Sequence, residues 1–188
     1  MQLQKILLPL AILYFGPFLF LGPLLCPDRM ALAETEVPGL LQLTSEGEPG
    51  EPMLLRGTLF ASDGSTPLPG VEIQVYQTDA QGYYSPGSTR AIDPRIQGAL
   101  RTDITGQYEI RTIRPGAYPG AGIPAHVHFV VHSEEGSEQR FEVQFADDPL
   151  HNADRLRRSE ALGRFGTIQP LERVDGVWQI HRDLRLKP

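Results

Sequence analysis

Several short runs of this chain alternate apolar and polar residues with a period of two, the pattern of strands with one buried face. Val71, Ile73 and Val75 alternate with Glu72 and Gln74. Tyr108, Ile110 and Thr112 alternate with Glu109 and Arg111, and Phe141, Val143 and Phe145 with Glu142 and Gln144. Strands are predicted at 54–60, 71–77, 107–113, 141–145 and 177–186. Residues 125–132 are apolar on nearly both faces, which predicts a strand in the middle of its sheet. Ser62-Asp63-Gly64-Ser65, residues 67–70 and the polar stretch 133–139 supply turns. Only residues 152–162 carry a helical pattern, short and charged. Short strands separated by Gly/Pro turns predict an all-β fold, an antiparallel β-sandwich over 53–188 with one short helix in its C-terminal part. Residues 34–52 are rich in Glu, Gly and Pro. They predict a flexible acidic tether with one short strand near 40–43. The chain has no internal repeat and no nucleotide-binding loop.

Residues 1–33 have the pattern of a secretory signal peptide. Lys5 precedes an uncharged run of twenty residues from Ile6 to Leu25, and Ala31-Leu32-Ala33 offers small residues at the positions a signal peptidase reads. Cleavage after Ala33 and export to the periplasm or medium are expected. If the segment is kept, its length allows a membrane anchor, although Pro9, Gly16, Pro17, Gly22 and Pro23 interrupt it as a helix. Cleavage leaves 155 of the 188 residues, enough for one domain with a core. It removes the sole cysteine, Cys26, and with it any disulfide. It also removes Lys5, Asp28 and Arg29, taking the net charge from −6 to −7. An acidic domain without a basic cluster is a poor partner for nucleic acid or for an anionic membrane.

The chemistry concentrates in residues 108–129. Pro115, Gly116, Pro119, Gly120, Gly122 and Pro124 fall within ten positions and make a loop that carries Tyr118. His126 and His128 follow in the apolar strand. Side chains at i and i+2 of a strand share a face, roughly 6.5–7 Å apart at Cα, so two imidazoles placed in this way reach one metal ion. A phenol ligates well only as phenolate, and its ordinary pKa near 10 calls for a hard, highly charged ion. Zinc sites favour Cys, His and carboxylate. Two phenolates with two neutral imidazoles suit non-haem Fe(III). The second phenol comes from Asp79-Ala80-Gln81-Gly82-Tyr83-Tyr84, where either Tyr83 or Tyr84 leaves the end of the 71–77 strand at a Gly turn.

These pieces together resemble the intradiol ring-cleaving dioxygenases, the family of catechol and protocatechuate dioxygenases, in a short exported form. The matching stretches are PLPGVEIQVYQTDAQGYY (67–84), LRTDITGQYEIRTIRPGAYP (100–119), PAHVHF (124–129) and FADDP (145–149). The resemblance implies four ligands to Fe(III): Tyr84, Tyr118, His126 and His128. It implies that a catechol-type diol displaces one tyrosinate, Tyr118 by position, and that O2 then opens the ring between the hydroxyl-bearing carbons to a muconate-type diacid. The expected partners are therefore a small aromatic diol and O2.

The chain departs from the family pattern at two positions. Ile123 stands where the family has Arg, three residues before the first histidine ligand, and Glu142 stands where it has Gln. Arg95, Arg101 and Arg114 are candidates to replace the missing charge. The departures define an alternative, an exported sandwich that binds iron or a phenolic ligand without catalysis. Tyr76, Tyr83 and Tyr108 read as packing residues. His132 shares the parity of His128 but lies roughly 13 Å further along the strand, beyond reach of the same ion. His151 and His181 read as surface residues, and Asp147 and Asp148, beside Pro149, as a turn or a helix cap.

Overall fold

The computed structural model describes residues 38–132 and 138–188. The predicted signal segment, the first four residues of the predicted tether and most of the predicted polar loop lie outside them. The described chain forms two facing sheets. Strands β1 (Leu40–Gln42), β2 (Pro52–Phe60), β3 (Glu72–Gln77), β4 (Ile96–Arg101), β5 (Gln107–Ile113), β6 (His126–His132) and β7 (Glu138–Phe145) lead to helix α1 (Ala153–Glu160). A 3-10 turn (Gly163–Phe165) and strands β8 (Ile168–Gln169), β9 (Leu171–Val174), β10 (Val177–His181) and β11 (Leu184–Arg185) follow. One sheet runs β1-β5-β2-β10-β9, with β11 also on β2, and the other runs β4-β3-β6-β7-β8.

The alternation seen in the sequence is the alternation of the core. Leu55, Leu59, Tyr108 and Ile110 point inward from the first sheet. Ile73, Val75, Val127, Phe129, Val131, Val143 and Phe145 meet them from the second. β6 lies between β3 and β7 as its apolar composition predicts. Its odd positions fill the core, so its even positions, His126 and His128 among them, lie on the opposite face of the sheet. Helix α1 begins at its Asn152 cap, whose side chain accepts from the Arg155 N–H at 2.9 Å.

Three features differ from the sequence reading. Pairing is mixed: β2–β5, β3–β4, β3–β6 and β6–β7 are antiparallel, but β1, β8, β10 and β11 join parallel. Parallel neighbours need long crossovers: β1–β5 and β2–β10 are joined through strands of the opposite sheet, and β7–β8 through helix α1 and the 3-10 turn. The tether region is packed from Gly39 onward. Leu41 and Leu43 cover Gly98 of β4, and Glu48 forms a bidentate pair with Arg95 at 2.8 Å. The predicted strand 177–186 breaks in two at Arg182-Asp183. The Arg182 carbonyl turns in to accept the Tyr108 hydroxyl, over Gly57, where a Cβ would lie 1.9 Å from that oxygen. Asp183 is drawn in by the Thr58 N–H at 2.8 Å.

Beside the histidine strand, one polar contact ties the sheets together. Gln77 of β3, fully buried, donates from Nε2 to the Ile113 carbonyl at 2.9 Å and accepts from the Thr112 hydroxyl at 3.0 Å. Q77L leaves that carbonyl and hydroxyl without their partner inside the core. The expected loss is ~1–3 kcal/mol of unfolding free energy, read from the denaturation midpoint. An unchanged midpoint would show that the contact does not hold the sheets together.

Candidate metal centre

Two loops and one strand build the site. The chain leaves β3 at Thr78 and turns at Asp79, whose side chain accepts the Gln81 and Tyr83 N–H groups at 3.0 Å each. Gly82, at φ +89°, completes the turn. The second loop, after β5, lies directly against the first. The Gly116 N–H donates to the Asp79 carbonyl at 2.8 Å, and the Thr78 hydroxyl to the Gly116 carbonyl at 2.9 Å. A Cβ on Gly82 would fall 2.0 Å from the Ala117 carbonyl oxygen, and one on Gly116 would fall 2.6 Å from that of Ala80. The loops touch backbone to backbone because both contact positions are glycine. That contact brings Tyr84 and Tyr118 together.

The four predicted residues meet. The Tyr84 and Tyr118 hydroxyls are hydrogen-bonded to each other. Tyr118 Oη lies 3.0 Å from His126 Nε2, His126 Nε2 2.9 Å from His128 Nε2, and His128 Nε2 2.9 Å from Tyr84 Oη. Four donor atoms from three segments thus close into a ring. Tyr84 and His126 are buried, and Tyr118 and His128 half-buried. Tyr83 is not in the ring, and neither is His132.

The ring suits a cation. His126 Nδ1 lies 2.7 Å from the Pro124 carbonyl, an acceptor only, so this nitrogen carries the proton and Nε2 presents its lone pair. His128 Nδ1 faces the Glu142 carboxylate at 3.6 Å, which favours the same tautomer. The two Nε2 lone pairs then face each other. Burial pushes the Tyr84 phenol up, and its hydrogen bond with Tyr118 adds to the rise. Burial also raises Tyr118, against the opposing effect of Tyr84. Burial, with His126 and Arg140 nearby, lowers His128 to about 4, so it is neutral at pH 7. Both phenols therefore keep their protons unless a strong cation replaces them. His126, His128 and Glu142 together place three donor atoms within 4.8 Å of one another, but Glu142 sits on the Nδ1 side of His128, away from the ring.

Two neighbours escaped the sequence reading. Tyr76, read there as packing, stacks on the His128 ring at 4.5 Å and 20°. Glu142, read only as a departure, is the partner of His128. The strand register carries the signal for both, since Tyr76 and Glu142 stand directly across from His128 on β3 and β7. The three candidate replacement arginines are engaged elsewhere. Arg114 is bidentate on Asp147 at 2.7 and 2.9 Å and lies between the Phe145 and Trp178 rings. Arg95 pairs with Glu48, and Arg101 with Glu72. Ile123 is 41% exposed. Asp148 closes a turn and accepts the Ala125 N–H at 2.9 Å, which fixes the start of β6.

Residues 24–175 match a family model described as Dioxygenase. The chain belongs to the intradiol ring-cleaving dioxygenase family. Among relatives of this family, it is 29% identical to the catechol 1,2-dioxygenase of Acinetobacter baylyi (strain ATCC 33305 / BD413 / ADP1). That match runs over 135 residues, 61% of this chain and 42% of the relative. It is 34% identical over 116 residues to the protocatechuate 3,4-dioxygenase beta chain of Burkholderia cepacia, 55% of this chain and 49% of that one. The chain thus spans less than half the length of these relatives. Its fold is that of the dioxygenase domain of a dioxygenase–carbohydrate-binding protein fusion from Streptomyces sp. SirexAA-E. The TM-score is 0.60 at 21% identity, covering 86% of this chain and 97% of that domain.

If the loop contact makes the site, breaking it empties the site. G82A cannot keep both its positive φ and its approach to Ala117. After exposure to ferric ion and desalting, it is expected to hold less than a tenth of the metal held by the unsubstituted protein, while its far-ultraviolet spectrum stays that of a β protein. Equal metal content by elemental analysis would show that the loop contact does not set the site.

Proposed function

We propose that this protein is a non-haem Fe(III) intradiol dioxygenase. It joins a catechol-type diol to both atoms of O2 and yields a muconate-type diacid, with Tyr84, Tyr118, His126 and His128 as the iron ligands. The observation that carries this reading is the closed ring of two phenol oxygens and two imidazole nitrogens, one Nδ1 bonded to a carbonyl and the other facing a carboxylate. Family membership supports it as well. Ferric ion, bound there, supplies Lewis acidity and a template for the diol.

The residues divide the remaining work. His126 and His128 come from one strand, between two hydrogen-bonded neighbours, and hold a fixed pair of nitrogens. Tyr84 is 1% exposed and stays in place. Tyr118 stands on the Pro/Gly loop and is only half-buried, so it is the ligand free to move aside for a diol. Burial raises its pKa, which favours a proton on Oη once it leaves a cation. Tyr118 can therefore accept one of the two protons the diol must lose, and this is its catalytic role. Export is part of the same proposal. The N-terminal 33 residues support it, and Glu34 is the expected first residue of the mature protein by N-terminal sequencing.

The test is a spectrum followed by a reaction. Ferric-loaded protein should be red-brown from tyrosinate-to-iron charge transfer, shift in colour with catechol, and return to its first colour in air as muconate forms. Loading should release two protons per iron, one from each phenol, so iron affinity rises with pH. H126A and H128A should lose both colour and activity. A colourless protein after loading would overturn the ligand assignment, and colour without muconate would leave only the binding function.

A further inference from the structure

A cleft of about 760 Å³ begins at His128 and Glu142 and is lined further on by Arg140, Arg182, Arg185 and Lys187. Four cations around one opening is unusual in a chain of net charge −6. Arg182 is the decisive one. It is 4% exposed, and a guanidinium removed from water is costly unless it is well paired. Its partners are carbonyl oxygens: Asp183 at 2.7 Å, Glu142 at 3.3 Å and Arg164 at 3.4 Å. Among the described residues it has no carboxylate partner. The adjacent Asp183 is taken by Arg164, His181 and the Thr58 N–H. Its Nη2 makes no hydrogen bond there.

The other cations are not neutralised by the acid at the cleft mouth. Glu142 accepts from Gln144 at 3.1 Å, and Gln144 in turn accepts from Arg155 at 3.0 Å, so Glu142 is held toward α1. It pairs with His128 and with none of the four. Arg185 lies over the Phe165 ring, which orients the guanidinium, and among the described residues it has no carboxylate partner. Arg140 has Glu138 beside it at 2.6 Å, but that pair is exposed and weak. Arg182 binds the outer edge of β7, and β7 lies next to β6. Its guanidinium is therefore roughly two strand spacings, about 10 Å, from the strand that carries the histidines.

We propose that this cleft is an anion subsite, and that the aromatic diol taken by this chain carries a carboxylate on a side chain extended from the ring. The inference rests on the dioxygenase reading for the position of the diol. The diol end belongs at the four-donor ring, and the acid end reaches past Glu142 to Arg182, with Arg140, Arg185 and Lys187 around it. A guanidinium fork with free N–H groups is the usual partner of a carboxylate. The subsite is also built independently of Ile123, so it is not a substitute for the arginine missing from that loop.

Paired ligands that differ only in charge provide the test. Ferric-loaded protein is titrated without oxygen with catechol, with 3-(3,4-dihydroxyphenyl)propanoate and with the corresponding primary amide, following the visible band. The acid is expected to bind at least about tenfold more tightly than the amide, as one charge-assisted contact allows. R140A/R185A, on the surface, and R182M, in the wall, should each reduce that ratio to about twofold or less while catechol affinity stays unchanged. Metal-free protein is titrated in parallel by calorimetry with 3-phenylpropanoate and 3-phenylpropanamide, which have no diol. Equal binding of acid and amide to the unsubstituted protein overturns the subsite, as does a preference that survives in both variants. Diols that bind without an acid preference sink the subsite and leave the dioxygenase standing. Diols that fail to bind at all, while metal-free protein still prefers 3-phenylpropanoate, sink the diol reading and keep the subsite.

Discussion

The contact between two peptide segments, Gly82 against Ala117 and Gly116 against Ala80, is the constraint on which the rest depends. A sandwich offers strands for fixed groups and loops for movable ones. The imidazoles need only the strand, whose two-residue repeat sets their separation whatever the loops do. The phenols come from loops 34 residues apart in sequence, and only a backbone-to-backbone approach brings their oxygens into hydrogen-bonding contact. Any side chain at either glycine would separate the loops by more than the ring tolerates. The polar links behind that contact, Thr78 to Gly116 and Gln77 to Ile113, fasten it to the two sheets.

The donor set follows from burial as much as from position. A ring of two phenols and two imidazoles is stable in a half-buried pocket because each proton has a place: on Nδ1 toward Pro124, on Nδ1 toward Glu142, on one phenol toward the other, and on the second phenol toward an imidazole Nε2. Removing the phenolic protons puts two negative charges in a region that disfavours them, as the raised pKa values of Tyr84 and Tyr118 express. A trivalent cation offsets that cost better than a divalent one. On the proposed reading, preference for a hard, highly charged ion follows from the pocket as well as from the ligand types.

Much of this was legible in the sequence, for identifiable reasons. β3, β5, β6 and β7 announce themselves because inward apolar side chains recur along each with period two, although β3 ends on the buried Gln77 and β5 carries the buried Thr112. β4 does not, because Gly98 occupies its middle inward position and the apolar filling comes from Leu41 and Leu43 of another segment. β8 and β9 are too short to show a period, and the break at Arg182 depends on a tyrosine 74 residues away. At the site, period two gives the histidine pair, and the Gly/Pro loop marks Tyr118. Choosing Tyr84 over Tyr83 needed the family pattern, and the structure places Tyr84 in the ring. The cationic cleft was not legible. Arg182 and Glu142 are 40 residues apart, and nothing local in either stretch points to the other.

Glu142 connects the two halves of the site. A carboxylate so close to the His128 imidazole holds its Nδ1 proton and makes its Nε2 a stronger donor. The same charge would repel an anionic substrate entering from the cleft if it were free to swing over it. The chain from Arg155 through Gln144 to Glu142 prevents this by fixing the carboxylate at the ligand side. Beyond it the field is set by Arg140, Arg182, Arg185 and Lys187, which line the cleft. The site thus changes sign along the cleft, acidic beside His128 and basic one strand further out. A ligand that is a proton donor at one end and a carboxylate at the other matches that polarity in one orientation only, with its diol at the ring and its acid at Arg182.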